Sequence, residues 1–287
     1  MVSRRRALGA LGAAGAALIL GTQARAIAEL HHKQYLPSLQ HAPPPTATPT
    51  LTITPTVNPL CPTPPPPAID APILGPASGT AEQALAWLAP RADPDYTDFD
   101  LTVIIEGYRS IGESVGMDWF LALAQNAHET GSLTSFWSQR PQRNPAGLGV
   151  TGAPCDPNKP PVAPNVCAYN YQRTRWEIGI SFPSWVDDAI PAHLGRLLAY
   201  ALTDAQATPA QLALIQKALS YRGLSASLRG VAPTIIGLNG KWAVPGCTYG
   251  QTIISLRDRM NGSKAVDPTA PPLLPGDEDG DTMPEWG

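Results

Sequence analysis

Apolar residues recur at helical spacing through most of residues 76–262, and the residues that start and stop helices flank them. Thr80-x-x-Gln83 is a capping box for a short helix running through Trp87. Asp98 or Asp100 caps a second helix that passes through Ile105 and Tyr108 toward Val115. Asp118 opens a third, with Phe120, Leu123, Ala124 and Ala127 as its apolar stripe and Gly131 as its stop. Ser184-x-x-Asp187 starts a fourth, whose stripe is Ile190, Leu194, Leu197, Leu198 and Ala201; Pro191 within it predicts a kink or a late start. Thr208, Pro209 and Gln211 combine an N-cap, a proline at the first helical position and a capping-box partner, with Gly223 as the stop. Tyr249, Ile253, Leu256 and Met260 mark a last helix. Residues 139–182 break the pattern. They are crowded with Pro, Gly and Asn, and only 166–180 has strand character. The expected fold class is α+β, mostly α: a helical domain interrupted by one small irregular β-lobe with a hairpin.

The flanks differ in kind. Residues 1–26 carry Arg4, Arg5 and Arg6, then an apolar run, then the small-x-small sequence Ala24-Arg25-Ala26. The run is shorter than the roughly 20 residues of a spanning helix, so a secretory signal is favoured over an anchor. The arginines also resemble, loosely, a twin-arginine signal. Eleven prolines lie between Pro43 and Pro67, a composition that favours extended polyproline II over a core. Residues 27–75 are therefore expected to form a spacer and 76–262 the folded domain. Residues 263–287, proline-rich and ending acidic, are expected to form a solvated tail.

Signal removal takes away four arginines and no acids, lowering the formal net charge from −3 to −7. This excludes the basic footprint of a nucleic-acid binder. Export makes disulfides plausible for Cys61, Cys155, Cys167 and Cys247. Cys155 with Cys167 is the local pairing; the pairing of Cys61 and Cys247 stays open. No Cys-x-x-Cys and no helical histidine pair is present, so neither a metal nor another cofactor is expected.

The informative stretch for chemistry is Gln125-Asn126-Ala127-His128-Glu129-Thr130-Gly131. Glu129 falls in the last turn of its helix, where unpaired carbonyls disfavour a carboxylate. Phe136 and Trp137 follow closely and are expected to desolvate it further. A carboxyl group kept protonated near neutral pH is what a glycosidase needs to protonate a leaving oxygen. The plain alternative is a surface glutamate at a helix end. His128 invites comparison with a zinc peptidase, but position 132 is serine where the second ligand would fall.

Ala-His-Glu-Thr-Gly at 127–131 and Asn144-Pro-Ala-Gly-Leu-Gly-Val-Thr-Gly152 resemble the glucosaminidase domain of glycoside hydrolase family 73. The resemblance continues through Ser181-Phe-Pro-Ser-Trp185, the helix from His193 to Tyr200, Lys241-Trp-Ala-Val-Pro-Gly246 and Tyr249, and covers about residues 98–262 in family order. It implies a lysozyme-like helical domain with a small β-lobe across a sugar-binding cleft. It also implies cleavage of β-1,4 bonds in peptidoglycan glycan strands by an exported enzyme, expected to be a monomer outside the cell or in its envelope. Glu129 would be the general acid and Tyr249 the cleft tyrosine, unless Tyr249 is simply core. The lobe should supply a second carboxylate, and between Gly131 and Val186 only Asp156 and Glu177 are available. Glu177 is the better choice, because Asp156 reads as a turn residue; the substrate's own N-acetyl group is the alternative nucleophile. Asn144 is expected to bind substrate, and Trp137, Trp176 and Trp185 are candidate sugar platforms. The chain departs from the family pattern at Ser132-Leu133-Thr134 and Pro145-Ala146, where aromatics are usual. Two rivals remain: a non-catalytic wall-binding module on this fold, and a cysteine amidase of wall peptides.

Overall fold

In the computed structural model, residues 69–262 are described; the expected signal sequence, most of the expected spacer and the expected tail lie outside them. Among the described residues, six α-helices and one antiparallel hairpin give an α+β, mostly-α fold. The helices are α1 (Ala81–Leu88), α2 (Asp98–Ser114), α3 (Trp119–Thr130), α4 (Ile190–Ala201), α5 (Pro209–Tyr221) and α6 (Tyr249–Asn261). The hairpin, β1 (Asn165–Asn170) and β2 (Arg175–Ile180), lies between α3 and α4 in sequence and pairs Asn170 with Arg175 and Asn165 with Ile180.

Two helices form the centre. Every residue from Trp119 to Ala127 is buried, and so is every residue of α4. A helix that is buried all round belongs to the middle of a domain rather than to its surface. Helix α5 packs along α4, while α2 and α6 pack on α3. The caps follow the sequence signals: Thr80 with Gln83 for α1, Asp118 for α3, Thr208 with Gln211 for α5. For α2 the cap is Thr97, with Asp100 completing its capping box, rather than Asp98 or Asp100 itself. The Pro191 expectation resolves as a late start: a π-helical turn at Trp185–Ala189, capped by Ser184, precedes α4, and the proline sits in its first turn.

The folded part begins earlier than residue 76. Ala71 and Ile73 are in the core, Pro72 bridges Thr234, and Leu74 bridges Met117. Residues 71–74 thus belong to the domain and not to the spacer, because short apolar residues among prolines still contribute burial when partner strand edges are at hand. Among the described residues no helix is long and apolar enough to cross a membrane.

The lobe is held by different means. Cys155 and Cys167 are disulfide-bonded across a 12-residue separation, as expected. Pro154 bridges Glu177, and Thr151 N–H donates to the Ile178 carbonyl at 3.3 Å. Polar groups and a covalent link replace the apolar stripes of the helical body.

Candidate active site

Gly131 adopts a left-handed conformation (φ 57°) and ends α3 as its C-cap. Ser132 (φ 56°) and Leu133 (φ 70°) continue in the same region. For non-glycine residues this costs about 1 kcal/mol or more each. The turn is held by Ser132 N–H on the Ala127 carbonyl at 2.7 Å, by Leu133 N–H on Thr130 Oγ1 at 2.9 Å, and by full burial of Leu133. Glu129 stands one turn before it.

Glu129 is half-buried. Tyr249 Oη donates to Glu129 Oε1 at 2.5 Å, while Oε2 lies 4.0 Å from the point where a Cβ on Gly147 would stand. A Cβ at position 147 would thus stand in ordinary van der Waals contact with the second carboxyl oxygen, and the positive φ of 59° favours glycine there. Burial raises the Glu129 pKa from its ordinary value; the Tyr249 hydrogen bond and the Trp242 indole oppose this without cancelling it. Tyr249, buried and next to that carboxyl group, is pushed well above its ordinary value and stays a donor. Tyr249 is core by burial, as one reading had it, and its hydroxyl is also a partner of Glu129 by hydrogen bond. Phe136 and Trp137 do not supply the desolvation as expected: Phe136 packs edge-on against Trp137 and Tyr171, and Trp137 lies against Gly179 of β2. The half-buried Trp242 stands by Glu129 instead.

The loop at 144–149 is built around Asn144, which corrects its expected role. Asn144 is fully buried; its Oδ1 accepts from Leu148 N at 2.8 Å and Ala146 N at 3.3 Å, and its Nδ2 donates to the Leu148 and Ile180 carbonyls. All its bonding capacity is spent inside the fold, leaving none for sugar. Asn126 of α3 ties the same loop by donating to the Pro145 carbonyl at 2.6 Å.

Glu177 is corrected as well. Its side chain has no solvent exposure, and it accepts from Arg175 Nε at 2.6 Å, Asn170 Nδ2 at 3.0 Å and Arg173 Nη1 at 3.4 Å. Burial pushes its carboxyl group up, but Arg175, Asn170 and Arg173 outweigh this and hold it at about 2. The Trp137 indole adds to this depression without reaching hydrogen-bond geometry, its Nε1 being buried with no partner. A carboxylate so occupied is a poor base and has no free face for attack. Asp156 is a turn residue, as read: it is exposed and accepts from Asn158 N–H.

Of the three candidate platforms, Trp137 and Trp185 are buried, Trp185 by stacking edge-on with Tyr96 and donating to its hydroxyl at 3.1 Å. Trp176 remains open at 39% exposure, paired across the hairpin with exposed Tyr169. His128 is exposed and packs edge-on against the Tyr249 ring. A cavity of about 630 Å³ along α6, lined by Ile69, Gln251, Ile254 and Ser255 among others, contains none of these residues. Among the described residues no cluster of His, Cys, Asp and Glu is placed to hold a metal ion.

Sequence reasoning missed Gln125, His193, Tyr108 and Trp242. Gln125 was within reach, since it lies one turn before Glu129 on the same helix face. No family model matches the sequence, and no curated protein matches it.

Proposed function

We propose that the chain is an exported glycoside hydrolase of the glucosaminidase type, acting on peptidoglycan glycan strands with Glu129 as general acid. The observation that carries this reading is the Glu129–Tyr249 pair: a half-buried carboxyl group of raised pKa at a helix end, with one oxygen bonded by Tyr249 and the other beside Gly147. Glu129 gives its proton to the leaving glycosidic oxygen. As negative charge develops on the carboxyl group, the Tyr249 O–H is already in place to receive it, with no reorganisation at the moment of reaction.

Glu177 is consumed by its arginines, so the substrate's 2-acetamido oxygen serves as nucleophile in this mechanism. It bonds to the anomeric carbon as the bond to the leaving oxygen breaks, and water then opens the cyclic intermediate, with Glu129 taking back the proton. Trp176 and Tyr169 offer the open aromatic surface of the lobe to a sugar ring. Residues 1–26 direct export in this reading, which places the activity outside the cytoplasmic membrane. Purified protein incubated with peptidoglycan should release reducing ends, and Glu129→Gln should not. Mass spectrometry of the fragments then identifies the sugar at the new reducing end.

The locked state of Glu177 specifically favours a second reading, a wall-binding module without catalysis. It predicts binding to peptidoglycan that is equal for wild type and Glu129→Gln, and silence from both in the reducing-end assay. The amidase reading loses its nucleophile among the described residues, since Cys155, Cys167 and Cys247 are all disulfide-bonded.

A further inference from the structure

Polar contacts continue inward from Tyr249 through the apolar centre of the domain. Gln125 Nε2 donates to Tyr249 Oη at 2.6 Å, Gln125 Oε1 lies 2.9 Å from His193 Nε2, and His193 Nδ1 lies 2.8 Å from Tyr108 Oη. Gln125, His193 and Tyr108 have no solvent exposure. Burial lowers the His193 pKa to about 3, so the ring is neutral and carries one proton.

Each link fixes the next. An amide oxygen only accepts, so the His193 proton resides on Nε2, and Nδ1 must accept from the Tyr108 hydroxyl. An amide NH₂ only donates, so Tyr249 Oη accepts from Gln125 and its single hydrogen is left for Glu129 Oε1. Every donor in the series Tyr108, His193, Gln125, Tyr249 therefore points toward Glu129. Trp242 packs edge-on against the His193 ring at 5.9 Å and limits its rotation. Four residues from four helices, separated by up to 141 positions, would not be needed merely to fill space between α2, α3, α4 and α6; leucines would do that at no polar cost.

We propose that Gln125 and His193 are positioning residues that orient the Tyr249 hydroxyl onto Oε1 of Glu129 and so assign the transferable proton to Oε2, facing Gly147. The assignment of a transferable proton rests on the hydrolase reading; the direction of the chain does not.

Gln125→Glu tests the direction at nearly constant shape. The new side chain still accepts from His193 but presents an acceptor to Tyr249, which turns its O–H away from Glu129. On the full chain with purified peptidoglycan, the variant should lose at least about tenfold in kcat, the worth of one buried hydrogen bond, with KM little changed. Its alkaline limb should move to higher pH, because Glu129 loses the bond that favours its ionised form. In a Tyr249→Phe background the same substitution should cause no further loss in kcat. Losses that multiply, or an alkaline limb that stays in place, would overturn the proposal. If wild-type protein releases no reducing ends, the hydrolase reading fails alone, and nitrogen NMR of the wild type still decides the chain. A proton on His193 Nε2, with the Glu129 carboxyl carbon titrating at higher pH in Tyr249→Phe, supports it. A proton on Nδ1, or an unmoved Glu129, sinks it, and neither measurement needs Gln125→Glu to fold.

Discussion

The helical body and the β-lobe each withdraw one glutamate from solvent, and the two carboxyl groups shift in opposite directions. Glu129 has only neutral partners, the Tyr249 hydroxyl and the Trp242 indole, and its pKa rises; Glu177 has two guanidinium groups and an asparagine, and its pKa falls to about 2. Burial acts upward on both. The partners decide the outcome: neutral hydrogen-bond donors leave the desolvation cost standing, whereas paired cations reverse it. The body thus favours the neutral form of its carboxyl group, and the lobe holds its carboxylate as an ion-paired anion. The two carboxyl groups are told apart here by the company they keep rather than by depth.

The largest effect expected from breaking this comparison is on activity. Glu129→Gln should lower the rate of reducing-end release by about 10²- to 10⁴-fold, the usual worth of a general acid. Glu177→Gln should leave most activity in whatever fraction stays folded. Near-equal losses from the two, with both proteins fully folded, would mean that Glu177 is catalytic after all and that its ion pairs open on binding.

Next comes the link that holds the lobe. Replacing Cys155 and Cys167 by serine should cost about 3 kcal/mol on the loop-entropy account, read as a lower unfolding midpoint in denaturant. Hydrogen exchange should quicken at 165–180 while amides of α3 stay protected, because no covalent link ties the helical centre to that loop. Uniform quickening through α3 would show that body and lobe are one cooperative unit, and the contrast between them would lose its basis.

Glu177→Gln is smaller again, at about 2 kcal/mol of stability, since Arg173 and Arg175 are half exposed and recover solvent when their partner goes. The sign with pH follows from a pKa lowered on folding. Stability from Glu177 is complete above its unfolded value of 4.5 and is lost as pH falls toward about 2. Wild type and Glu177→Gln should therefore converge in thermal midpoint through that window. Parallel curves would mean that the arginines do not hold the charge.

The helices were legible wherever a local rule sufficed. Thr80 with Gln83, Asp118 with Gly131 and Thr208 with Pro209 each satisfy orphan helix-end groups with residues a few positions apart. Asp98 and Asp100 misled because two acids in a first turn look like caps, while Thr97 beside them does the bonding. Glu177 was decipherable and overlooked: Arg175 lies two positions away on the same strand face, so its pairing follows from the strand period. Asn144, Trp137 and Trp185 look polar or amphipathic in sequence, and only the fold shows their polar atoms turned inward or closed off. The partners of Glu129 lie farther still from local rules, since Tyr249 is 120 positions away and joins it only when α6 packs on α3.

The smallest effect sharpens the comparison most, because it separates desolvation from chemistry. Glu129→Gln should stabilise the protein at neutral pH by about 1 kcal/mol, the usual scale on which a strained functional group is relieved. The folded pKa is raised, so the carboxyl group supports folding fully only below 4.5, and that support is lost as pH rises through its folded value. The amide carries no charge and loses nothing over the same interval. The difference in thermal midpoint between variant and wild type should thus favour the variant at pH 7 and shrink to nothing below 4.5. Glu177 and His193 also respond to acid, but both are present in the two proteins and cancel in the difference. A variant no more stable than wild type at pH 7 would mean that Glu129 is adequately solvated, and burial would then give no reason for its pKa to rise.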